Sequence, residues 1–146
     1  MKKLILVIAL VIAGWFAWRA YNPADQPPAI AAGKSFNQIF PDSGGGFTVQ
    51  FTQEKEGYSQ ADLLKDGKKL AQFSISDTNS NPTAREKFKS STRQLAGSPV
   101  ASVGSLGTAI LVSDRYQVQV RSTDPTFTLA DREAWILKFK LGALKS

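Results

Sequence analysis

Hydrophobic and polar positions change rhythm twice along this chain. Behind Lys2 and Lys3, the run from Leu4 to Trp18 carries no charged residue, and Arg19 closes it. Residues 22–35, NPADQPPAIAAGKS, contain three prolines and no apolar period, which predicts an extended spacer. After the flexible lead-in Gly44-Gly45-Gly46 the dominant period becomes two. Phe47, Val49 and Phe51 alternate with Thr48, Gln50 and Thr52, the pattern of a half-buried strand. Residues 58–64 and 69–77 predict two strands around Asp66-Gly67, a pair suited to the type I′ turn of a hairpin. In the second of these, Ala71, Phe73 and Ile75 share one face, and Gln72, Ser74 and Ser76 the other.

Asn81 followed by Pro82 has the form of a helix start, and Gly97 that of a stop. A helix between them has a thin apolar stripe of Ala84, Phe88 and Leu95. Strands are then expected at 100–104, 107–113 and 115–122, the last two forming a hairpin around Ser113-Asp114. Tyr116, Val118 and Val120 face inward there, and Gln117, Gln119 and Arg121 outward. The run Thr128-Leu129-Ala130-Asp131 has the spacing of a capping box and opens a last helix to about Leu141, although LKFKL also fits a strand. The order β-β-β-α-β-β-β-α predicts an α+β domain of two layers over 36–146, an antiparallel sheet with two helices on one face. AQFSISDT then TAREKF stands beside YQVQVRST then ADREAW at offsets of 45 and 47 residues. Internal duplication and coincidence both account for that echo.

The apolar run is best read as a retained signal anchor over residues 4–21. Its 18 residues give ~27 Å of helix, close to a thin bilayer core. Trp15, Trp18 and Tyr21 would sit at the distal headgroup level, while Lys2 and Lys3 favour a cytoplasmic N-terminus. The alternative is a cleaved signal peptide, but the first Ala-x-Ala, Ala29-Ile30-Ala31, lies well past the core and behind Pro23, Pro27 and Pro28. Either reading exports the rest of the chain. The expected address is a bacterial-type inner membrane or a thylakoid membrane, with the domain in the periplasm or lumen.

Composition narrows the chemistry by removal. The chain has no cysteine and no histidine, which excludes disulfides, thiol nucleophiles, Cys-based zinc sites and the commonest neutral-pH base. No Asp-rich calcium loop and no Ser-x-x-Lys spacing appears at Ser90 to Gln94, and Gly33-Lys34-Ser35 lacks the glycine of a phosphate loop. No cofactor is expected. The formal charge is +6, divided as +3 over residues 1–35 and +3 over residues 36–146, where 14 basic residues face 11 acidic ones. Such interleaving gives no cationic stripe, and nucleic acid is not an expected partner.

Two surfaces remain as candidate contacts. Thr48, Gln50, Thr52, Gln72, Ser74, Ser76, Gln117, Gln119 and Arg121 predict a nearly uncharged sheet face, cheap to desolvate compared with ionised groups. On the last helix, Ala130, Ala134, Leu137 and Leu141 form one apolar arc, and Trp135, Ile136 and Phe139 form another. If the first arc meets the sheet, the second is left for a partner. The leading expectation is therefore a non-catalytic accessory protein, anchored in the bilayer through residues 4–21, whose exported domain binds a partner protein. The rival is a small ligand-binding or sensing domain, and a carboxylate-type enzyme stands third.

Overall fold

In a computed structural model, which describes residues 36–145, the alternating segments pair into one antiparallel sheet. Its strands are β1 (Phe47–Lys55), β2 (Tyr58–Lys65), β3 (Lys68–Asp77), β4 (Gln94–Leu95), β5 (Ser98–Val103), β6 (Gly107–Val112) and β7 (Tyr116–Ser122). They lie in the order β1-β2-β3-β7-β6-β5-β4. The proposed span 4–21, with Lys2, Lys3, Trp15, Trp18 and Tyr21, and the spacer 22–35 lie outside the described residues. No helix among the described residues is long and apolar enough to cross a membrane.

Local chemistry accounts for the turns. Asp66 and Gly67 have φ of 53° and 76°, and Ser113 and Asp114 have 54° and 55°, the left-handed pairs that tight hairpins need. A third such pair, Ala96 and Gly97, closes the short β4–β5 hairpin, where the sequence predicted the end of a helix. The helix expected over 82–97 is only a 3-10 turn over Pro82–Phe88. Phe88 is its one buried residue, too little apolar surface to hold a longer helix against the sheet. Beyond it, the Ser91 hydroxyl donates to the carbonyls of Arg93 and Val100, drawing the chain onto the edge of β5.

The two meanders, β1-β2-β3 and β5-β6-β7, meet where β3 pairs with β7, Phe73 opposite Val120 and Ile75 opposite Val118. The segments that follow them part company. Phe88 packs on Ala109 and Leu111, on the side of the sheet away from the main core, whereas the helix α1 (Leu129–Ile136) covers the core side. This corrects the expected layering, with two helices on one face.

The core side is sealed by α1, by a 3-10 turn at Leu141–Leu144, and by residues 36–40, to which the sequence pattern assigned no element. Phe36, Ile39 and Phe40 are almost completely buried, each contributing ~1.5–3 kcal/mol by leaving water. Phe36 meets the Tyr116 ring edge-on at 5.9 Å, and Phe40 lies 5.3 Å from Phe139. At the far end of β3, Asp77 receives both Nε (3.0 Å) and an Nη (2.7 Å) of Arg115. The paired guanidinium holds the Asp77 carboxyl below its ordinary value, outweighing the opposing effect of burial.

Candidate functional site

The helix arc expected to meet a partner is inside the domain. Trp135 is 8% exposed, Ile136 and Phe139 are buried, and the Trp135 ring lies 5.0 Å from Phe47 and 5.7 Å from Phe73. Phe139 stands 5.3 Å from Phe73 as well. Of the other arc, Ala130 and Ala134 are exposed and Leu137 is 56% exposed, while Leu141, beyond the end of the helix, is buried in the core. The wider aromatic arc buries more apolar area than the alanine arc, so it takes the sheet. The helix also stops at Ile136, and LKFKL forms neither the rest of a helix nor a strand.

The sheet face away from the core is the stronger candidate. Over β5 and β6 the segment around Phe88 covers it. Over β1, β2, β3 and β7 it carries half-buried or exposed polar side chains in cross-strand rows. Gln53, Gln60, Ser74 and Gln119 follow one another across four strands, as do Gln50, Asp62, Gln72 and Arg121. Gln117 and Gln119 are half-buried and Arg121 is exposed. The alternation therefore points Gln117, Gln119 and Arg121 to this face together with the β3 residues Gln72, Ser74 and Ser76.

Hydrogen bonds hold this surface in two directed chains. On one side the Tyr58 hydroxyl donates to Gln60 Oε1 at 2.6 Å, and Gln60 Nε2 donates to Thr52 Oγ1 at 3.1 Å. On the other, Lys87 Nζ donates to Gln117 Oε1 at 2.5 Å, and Gln117 Nε2 donates to Gln119 Oε1 at 3.3 Å. Burial raises the pKa of Tyr58, partly offset by a hydrogen bond with Ser74, so its hydroxyl stays a neutral donor. Burial lowers that of Lys87. Two charged members of the face also pair, Lys69 Nζ lying 3.2 Å from Asp62 Oδ1. Amides and hydroxyls in fixed directions can trade water for the polar groups of a partner.

Among the described residues no group of three acidic side chains is placed to hold a metal ion. One residue that sequence reasoning passed over is Arg132. It reads as an ordinary surface position on an amphipathic helix, yet it is 8% exposed and reaches Thr108 and Ser122 under the sheet. Nothing short of the packing direction of α1 would have singled it out.

The fold thus defines a one-sided α+β domain with a polar, partly open sheet face. Compared with known protein families, curated proteins and solved structures, the chain matches none.

Proposed function

We propose that this chain is a non-catalytic accessory protein, anchored in a membrane by residues 4–21, whose α+β domain binds a partner protein on the periplasmic or lumenal side. The observation that carries the reading is the open face of β1, β2, β3 and β7, with its ordered amides and hydroxyls on Gln60, Ser74, Gln117 and Gln119. Its groups are already oriented by neighbours, so a partner orders few side chains on contact and meets little charge to strip of water. The test is site-specific photocrosslinking of the full chain in its native membrane. A photoreactive residue at Gln119 should give one discrete adduct, while the same residue at Ala134, on the opposite layer, should not. Absence of an adduct from Gln119 and from Gln72 alike would overturn the reading.

The second reading, a ligand-binding or sensing domain on the same tether, is favoured by the environment of Arg132.

A further inference from the structure

Arg132 is a cation largely enclosed in the domain, 8% exposed, and it forms no ion pair among the described residues. Its Nε donates to Thr108 Oγ1 at 3.0 Å and one Nη to Ser122 Oγ at 2.9 Å, both neutral hydroxyls. A guanidinium has five N–H donors, so the second Nη and one remaining N–H have no acceptor among the described residues. Every acidic group nearby is otherwise engaged. Asp124 accepts from Lys68 Nζ at 2.8 Å and from the Thr126 amide at 2.9 Å, which hold its carboxyl down at about 2. Asp131 closes the capping box with Thr128, and Glu133 pairs with Arg93. A largely buried charge without a counter-charge is costly, and these three carboxylates, engaged elsewhere, do not relieve this one.

Arg132 lines a cleft of about 570 Å³ at the end of β7, with Leu106, Pro125 and Phe127 in its wall and Asp124, Thr128 and Arg121 at its edge. Its unpaired Nη is not among the fully enclosed side-chain atoms without a partner, so it keeps contact with solvent. That volume suits a small molecule. The geometry points to this cleft as a binding site for a small organic monocarboxylate, its carboxylate in the guanidinium fork of Arg132 and its apolar body against Leu106 and Phe127. A carboxylate matches the planar fork with two parallel hydrogen bonds. A phosphate dianion fits less well, because Asp124 brings its own negative charge into the same cleft, opposing Arg121 at the edge, and Leu106, Pro125 and Phe127 offer its oxygens no side-chain donor.

The test uses the full chain in lipid nanodiscs, labelled with ¹⁵N-arginine, and benzoate as the probe. Benzoate should shift the Arg132 Nε–H resonance saturably, and benzamide, the neutral isostere, should bind at least tenfold more weakly. Arg132→Lys keeps the charge but loses the fork, and should weaken benzoate about tenfold, read by saturation transfer from the ligand. Should that variant fail to fold, Leu106→Asp, at a lip position 47% exposed, should weaken benzoate to a similar degree through repulsion. No saturable benzoate binding overturns the proposal, as does binding indifferent to the Arg132 and Leu106 changes. Inorganic phosphate binding more tightly than benzoate overturns the carboxylate assignment.

Discussion

Replacing Trp135 with alanine should unfold much of the margin by which this domain is stable. The indole is 8% exposed and meets two aromatic rings, Phe47 at 5.0 Å and Phe73 at 5.7 Å. Truncating a buried Trp costs ~3–5 kcal/mol, and each lost ring pair adds roughly 0.5–1.5 kcal/mol to what area alone predicts. Against that, the indole borders a surface cleft beside Gly44, Gly45 and Lys138, so water can fill part of the space it leaves. The balance is about 3–4 kcal/mol. At ~4–8 °C per kcal/mol for a domain of this size, the melting temperature should fall by more than ~12 °C. The assay is urea titration of the full chain in mild detergent, followed by far-UV circular dichroism, with Leu137→Ala as comparator on the same helix. Leu137 is 56% exposed, so its truncation should stay within ~0.5 kcal/mol. An unchanged midpoint for Trp135→Ala, or a larger effect from Leu137→Ala, would refute the assignment of the aromatic arc to the core.

Four further outcomes are expected. Asp77 has a folded-state pKa below its unfolded value of ~3.9, so its contribution is full above that value and is lost as pH falls through the folded pKa; acid titrations of stability should show this slope below about pH 4, and Asp77→Asn should flatten it while costing roughly 1–3 kcal/mol. Gly107→Ala should destabilise by ~1–3 kcal/mol, because a Cβ there would lie 2.6 Å from the Val103 carbonyl oxygen, whereas Gly142→Ala meets nothing within 4 Å and should be near neutral in the same urea titration. Thr128→Ala removes the side-chain half of the capping box and should cost about 1 kcal/mol by thermal melting. Because the chain has no cysteine, a single one at Gly142 should react with a membrane-impermeant maleimide in intact spheroplasts; labelling only after lysis would reverse the proposed orientation.

Much of the sheet was legible because period two is a direct consequence of the pleat: once Phe73 and Ile75 go inward, Gln72, Ser74 and Ser76 have nowhere else to point. The capping box of Thr128 was equally plain, being local chemistry at fixed spacing. What failed depended on competition between distant parts. Two arcs of α1 were apolar, and only the presence of Phe47 and Phe73 on the opposing surface decides that the aromatic one is buried. Ala96 gave no sign of a turn, since alanine seldom takes φ of 55°, and so the β4–β5 hairpin was hidden inside an expected helix. Phe36, Ile39 and Phe40 stand at i, i+3 and i+4, one helical face, but five residues between a proline-rich spacer and Pro41 are too short a run to be read as an element. Of the site, the outward amides on β7 followed from alternation, but the enclosure of Arg132 is a property of where α1 lands.

The burial of Phe36, Ile39 and Phe40 also gives the domain a mechanical character. A load applied at Phe36 acts on rings wedged against Tyr116, Phe51 and Phe139. Tension applied at this end would be carried straight into the core. The first event under force would be the withdrawal of this plug, which uncovers Tyr116 of β7, Phe51 of β1 and Phe139 before any strand has to part. Such a domain would yield first at its N-terminal plug while the sheet stays whole.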